Sequence, residues 1–217
     1  MSRRKLLAFC PTFLPHIGGA ENTALNLYNE MSKQGVDVTF LTLTPTFDVG
    51  FDQQLGFKVI RLLSGRVKSR ALKFLLLQLQ LIFYFLLYCR FHKINSIHLS
   101  YGLHASLASI VNRILLGPKI IISEFHLGSG KDIVDQKENG VMVNRLCGYA
   151  YKAAHSLHAI SKDNARYIAA VSGRSDVLVT PQAANSKLFN PSKACKAYRE
   201  RLAEGGQFLL CSCSRIV

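Results

Sequence analysis

The chain is 217 residues long and 49% apolar, enough for one generous domain with a real core and far too apolar for a disordered or fibrous protein. Lys and Arg total 27 against 13 acidic residues, a formal charge of +14 that favours polyanionic partners such as phospholipid headgroups, nucleic acid or a phosphorylated substrate. Most of that charge is regional: residues 53–123 contain no Asp or Glu but ten basic residues, from Lys58 to Lys119.

In chain order, residues 2–5 are basic and residues 6–10 apolar, but the apolar run is too short for a signal peptide and Pro11 and Pro15 break it. Residues 6–10 read instead as a strand buried on both faces of a parallel sheet. The loop that follows leads to a helix over residues 20–34, where Ala24, Leu27, Tyr28 and Met31 recur at helical spacing and Gly35 marks the exit. Strands are predicted at residues 36–43 and 59–63, and a nearly unbroken apolar helix at 71–91. Then come a strand at 96–99, a helix at 102–116 closed by Gly117 and Pro118, and a strand at 119–123. A helix at 132–153, a strand at 156–160, a helix at 162–171 and a strand at 177–180 complete the alternation. Such β-α repetition predicts an α/β fold, a doubly wound Rossmann-like parallel sheet with ligands at the carboxyl ends of its strands. Residues 1–190 are read as this domain, 191–206 as a polar linker, and 207–217 as the start of a second domain. The strand expected at residues 208–211 finds no partner within the chain, so the second domain is expected to be truncated.

The six cysteines form no C-x-x-C pair and have no histidine at zinc spacing; they read as reduced core thiols of a cytosolic chain, with no metal or other cofactor expected. Two loops carry candidate chemistry. Gly18 and Gly19, between the first strand and the first helix, let the backbone pass close to a ligand at a helix N-terminus suited to phosphate. They also fit an ordinary tight turn, and the absence of G-x-G-x-x-G argues against a dinucleotide site. His126 follows a strand end and precedes Gly128-Ser129-Gly130, a setting that fits a histidine orienting or deprotonating a sugar hydroxyl and also fits a hydrogen-bonded structural histidine. His98, His104, His155 and His158 lack such a context and read as structural.

The order of strand, Gly18-Gly19-Ala20-Glu21 and helix, then Ser123-Glu124-Phe125-His126, Ala159-Ile160-Ser161-Lys162, Pro181 to Asn185 and Phe189-Asn190-Pro191, resembles the family-4 glycosyltransferases of the GT-B fold over essentially the whole chain. The resemblance implies the N-terminal, acceptor-side half of a retaining enzyme that moves a sugar from a nucleotide-sugar to a membrane-associated or envelope glycan acceptor. By it, Gly18 and Gly19 lie against the donor diphosphate or the acceptor, Glu21 holds the loop, and His126 matches the family's histidine near the transferring sugar. Ser161 and Lys162 match a stretch facing the cleft, and Arg215 a donor-phosphate ligand. The chain departs from the family at Gln182-Ala183-Ala184-Asn185, where an Asn-Gly-Val-Asp turn is usual, and at Ser214, where a glycine precedes the arginine. The family's paired carboxylates for the donor sugar have no counterpart, so the chain alone is expected to be inactive. A non-catalytic module that binds an acceptor or partner is the alternative.

The helix at 71–91 fits an interfacial helix flanked by basic residues, which together with residues 58–93 predicts an anionic membrane surface as partner and a location on the cytoplasmic face. A buried crossover helix is the competing reading. Charge alone suggests nucleic acid, but no aromatic stacking platform, zinc pattern or helix-turn-helix accompanies it, and no nucleic-acid partner is expected.

Overall fold

The computed structural model describes residues 4–15, 18–45, 49–124 and 140–181, all within the unit Met1–Pro181. Seven strands, β1 (Lys5–Phe9), β2 (Asp37–Thr42), β3 (Lys58–Arg61), β4 (Ser96–Ser100), β5 (Lys119–Glu124), β6 (Ser156–Ala159) and β7 (Val177–Val179), form one sheet in the order β3-β2-β1-β4-β5-β6-β7. Every pairing is parallel. The helices are α1 (Gly19–Lys33), α2 (Val49–Gln53), α3 (Arg70–Phe83), α4 (Cys89–His92), α5 (Ser106–Ile114), α6 (Gly140–Ala153) and α7 (Lys162–Ser172). The expected α/β, doubly wound Rossmann-like sheet is what the chain forms.

The short apolar runs are explained by burial on both faces. Successive side chains of a strand point to opposite sides, so Leu6, Ala8 and Cys10 join Tyr28, Phe40 and Phe57 in one core layer. Leu7 and Phe9 join Ile97, Leu99, Ile120 and Ile122 in the other, beneath Leu77, Leu81 and Phe85. Aromatic packing sets the first layer: Phe13 and Phe40 have ring centroids 4.4 Å apart, and Tyr28 meets Phe40 edge-on at 5.2 Å.

Two local differences from the sequence reading have physical causes. The helix expected at 102–116 starts with a 3-10 turn, Leu103–Ala105, and ends at Ile114; Leu116 turns left-handed with φ 52° and Gly117 N–H donates to Asn112 O at 2.8 Å. The short α2 carries no apolar periodicity of its own, and Asp52 there pairs with Arg61 of β3 at 2.7 Å. The helix expected at 132–153 is described from Gly140 onward.

The apolar helix runs from Arg70 to His92 as α3, a π-helical turn at Tyr84–Tyr88, and α4. Its sheet-facing side holds Leu77, Leu81 and Phe85 together with polar groups, and its outer side is apolar as well. Gln78 is buried on the sheet side, where its Nε2 donates to His104 O at 2.8 Å and its Oε1 accepts Ala108 N–H at 3.1 Å. Gln80 Oε1 accepts Ser64 N–H at 3.1 Å. Leu72, Leu75, Leu79, Phe83, Leu87 and Phe91 point outward, each between 48% and 80% exposed. In an α-helix of 3.6 residues per turn, a spacing of four drifts round the axis; the wider π turn takes up that drift and keeps Phe83, Leu87 and Phe91 in line.

Candidate active site

The sheet order places a topological switch point between β1 and β4. The chain leaves β1 toward β2 and β3 on one side, and β4 toward β5, β6 and β7 on the other. Loops diverge there and leave a crevice at the carboxyl ends of the strands, the usual place for a ligand in such a sheet.

Gly18 is the N-cap of α1, extended at φ −155° and ψ 179°. It is one wall of a tight contact: a Cβ here would run into Glu21 Oε2, so the small residue makes room for that carboxylate. A Cβ on Gly19 would meet nothing within 4 Å, so the far side of the loop is open. The first N–H groups of a helix have no intrahelical acceptor, and α1 starts in the connection that leaves the carboxyl end of β1. Glu21 itself is buried, at 5% exposure.

Across the crevice, β4 ends in Tyr101, whose φ of 106° is a conformation that side-chain-bearing residues rarely take. Such a residue costs about 1–3 kcal/mol and persists only where its surroundings fix it. They do: Gly102 N–H donates to Glu124 Oε1 at 2.8 Å, and Tyr151 O–H donates to the same oxygen at 2.8 Å. Burial pushes the Glu124 carboxyl up to about 7, against the two hydrogen bonds that pull it down. Burial also raises the Tyr101 hydroxyl, with Cys10, Glu124 and Glu21 adding to the shift. The Cys10 thiol is pushed up to about 11 by burial and stays protonated. Cys10, Glu21, Tyr101 and Glu124 thus share one neighbourhood that holds hydrogen-bonding groups and two carboxylates. Its chemistry suits sugar hydroxyls.

Below this edge a polar chain crosses the α1 side of the sheet. Tyr28 Oη lies 2.6 Å from His98 Nδ1, His98 Nε2 lies 2.7 Å from Ser123 Oγ, and His158 Nδ1 lies 3.1 Å from the same Oγ. Burial, then His158, lowers His98 to about 4, so the ring is neutral at pH 7. His98 and His158 are therefore structural links beneath Glu124, as the sequence suggests.

The other predicted residues are placed as follows. Ser161 is the N-cap of α7: its Oγ accepts Asn164 N–H at 3.2 Å and donates to Asn164 Oδ1 at 2.9 Å. Asn164 Nδ2 in turn donates to Glu124 O at 3.3 Å, which ties the α7 cap to the β5 end. Lys162, the first residue of α7, is exposed. His126 and Arg215 lie outside the described residues, as do the linker at 191–206 and the strand expected at 208–211. Sequence reasoning quoted Glu124 only as part of a motif and passed over Tyr101 and Tyr151, because a strained strand end and a contact over 27 residues leave no local pattern. Among the described residues, no group of His, Cys, Asp and Glu is arranged to hold a metal ion.

Residues 17–185 match the model of Glycosyltransferase Family 4. No curated protein matches the sequence. Among solved structures, HepE of Anabaena in complex with UDP-glucose is similar with a TM-score of 0.59 and 14% identity, over 91% of this chain and 49% of that one. The lipopolysaccharide outer core galactosyltransferase WaaB follows with a TM-score of 0.52 and 13% identity, over 83% of this chain and 46% of that one. UDP-GlcNAc 2-epimerase from Methanocaldococcus jannaschii has a TM-score of 0.50 at 12% identity, over 81% and 45% of the two chains. The chain spans about half the length of the structures it matches. At such identities the likeness establishes the fold, which transferases and an epimerase share; the family match is what separates them.

Proposed function

The chain belongs to glycosyltransferase family 4, and from that premise we propose that it is the acceptor-side half of a retaining enzyme that transfers a sugar from a nucleotide-sugar to a membrane-associated glycan. The observation that carries this reading is the crevice at the β1/β4 switch point. There Glu21 in the first turn of α1 and Glu124 at the end of β5 both lie close to Tyr101. Backbone N–H groups at the helix start suit a diphosphate or a polarised hydroxyl. Glu124, with a pKa near neutrality, suits an acceptor hydroxyl, since it can accept a hydrogen bond or donate one.

Transfer needs a stabilised leaving diphosphate as well as a positioned acceptor. The described crevice offers Glu21 and Glu124 but no cation, so the donor's charge is met by groups elsewhere and this half does not turn over alone. HepE, with which it shares its fold, is seen with UDP-glucose, which supports a uridine nucleotide-sugar as the donor to try first. The exposed apolar face of the Arg70–His92 helix, with Lys68, Arg70, Arg90 and Lys93 at its ends, supports a peripheral position on an anionic cytoplasmic membrane face.

Amide chemical shifts test the reading on the chain as it stands. Millimolar UDP-glucose or an acceptor glycan is expected to move the Gly18, Gly19 and Gly102 resonances while no sugar is transferred. Shifts confined to other strand ends overturn the crevice as the site, and measurable transfer by the 217-residue chain overturns the half-enzyme.

A further inference from the structure

The crevice holds carboxylates, and the positive charge of this sheet edge lies beside it in a separate cavity of about 520 Å³. Thr12 after β1, Thr44 after β2, Arg70 and Lys73 on the first turn of α3, and His104 after β4 line that cavity. Phe74 and Leu77 make its apolar wall. Among the described residues, neither Arg70 nor Lys73 is within salt-bridge distance of a carboxylate. His104 Nδ1 is buried and has no hydrogen-bond partner. Burial and the Lys73 ammonium both press the His104 pKa down, so its ring enters the cavity neutral. Gly65 closes one side so tightly that a Cβ there would strike Leu43 O. Two cations without a carboxylate partner converge on a walled space. An arginine fork recognises phosphate oxygens two at a time, and a lysine adds a point charge.

The setting of the cavity narrows the ligand. Arg70 and Lys73 stand at the start of the helix whose outward face is apolar from Leu72 onward. A ligand whose phosphate sits on these cations therefore has an apolar surface leading away from it. We propose that this cavity is the subsite for the phosphate of an amphiphilic acceptor: Arg70 and Lys73 hold the phosphate, and the hydrocarbon leaves over Leu72 and Leu75. The proposal rests on the chain's being the acceptor half of a glycosyltransferase and names the class of acceptor.

Titration calorimetry with glycerol 3-phosphate reads the soluble arm, and flotation with phosphatidylcholine vesicles carrying phosphatidic acid reads the lipid arm. The Arg70→Ser/Lys73→Ser variant is expected to lose at least tenfold in both. Arg90→Ser/Lys93→Ser, which removes the same charge from the far end of the helix, keeps glycerol 3-phosphate binding. Leu75→Ser/Leu79→Ser keeps glycerol 3-phosphate and loses the vesicles. Arg70→Lys retains the charge and the fold and restores part of the binding, so a loss from unfolding is distinguished. Equal losses in the 70/73 and 90/93 variants reduce the effect to bulk charge and overturn the subsite. Undiminished binding by the 70/73 variant does the same. Phosphate binding without vesicle binding overturns the amphiphile and leaves a soluble phosphorylated acceptor. The transferase reading is judged separately, by the nucleotide-sugar shifts at Gly18 and Gly19.

Discussion

Tyr151 donates its hydroxyl to Glu124 at 2.8 Å, on the same carboxylate oxygen that holds the Gly102 amide. A helix is thereby fastened to the ends of two strands through one buried acid. Glu124 titrates at about 7 in the fold against an ordinary value of 4.5. A raised acid pKa means that the folded state binds the proton more tightly, so its contribution is complete below 4.5 and is lost as pH rises to about 7. The loss is on the order of 3 kcal/mol. Urea unfolding is expected to show this fall as the difference in slope between the native chain and Glu124→Gln from pH 4.5 to pH 7.5. Tyr151→Phe removes a donor to the carboxylate and is expected to steepen it.

His98 bends the same profile the other way. Its folded pKa of about 4 lies below the ordinary 6.5, so its contribution is present above 6.5 and is lost as pH falls toward 4. His158 is lowered too, and has the same sign. The acid and the imidazoles oppose each other between about 4.5 and 6.5, and the native chain is expected to be nearly flat there. Glu124→Gln then exposes a loss toward acid and His98→Gln a loss toward neutrality, whatever each variant does to absolute stability. Parallel slopes in the two variants contradict the assignment. Histidine resonances followed by NMR check it directly, with the His98 ring still neutral at pH 5.

Gly65→Ala places a methyl against Leu43 O at the wall of the phosphate cavity, where backbone rather than a movable side chain is struck. Overpacking of this kind costs about 1–3 kcal/mol. Thermal unfolding is expected to show that loss, and the tightening or displacement of the wall is expected to weaken glycerol 3-phosphate binding. Gly19→Ala, whose Cβ meets nothing, is the matched control. Its stability change is expected to be the ordinary one for a glycine early in a helix, about 1 kcal/mol or less in favour of alanine.

The strands were legible because burial on both faces leaves a plain mark, and all seven fall within two residues of where the apolar runs place them. Gly18 was legible because a glycine pair before a helix marks a turn, and its lack of a side chain makes room for Glu21. Glu124 was not, since Gly102 and Tyr151, which define its state, are 22 and 27 residues away. The strain at Tyr101 was equally hidden, being a property of φ and not of residue type. The apolar helix at 71–91 was readable as a helix, but which of its sides met the sheet was decided by partners, the amides of Ser64 and Ala108 and the carbonyl of His104.

The helix from Arg70 to His92 gives the sharpest test of what its outer face is for. Leu79 and Phe83 are 55% and 51% exposed, so charging them removes little buried area. Leu79→Lys/Phe83→Lys is expected to change stability by no more than about 0.5 kcal/mol, the usual range for a surface site. The same change at Leu77 or Leu81, both buried, is expected to cost several kcal/mol or prevent folding. On anionic vesicles the ranking changes cause. A face that enters the lipid boundary loses buried apolar area on both side chains, so the 79/83 variant is expected to stay in the bottom fraction of a flotation gradient while it melts like the native chain, even though it carries two more positive charges. If it floats as well as the native chain, charge attraction alone holds this protein to lipid, and the outward Leu and Phe side chains face something other than a bilayer.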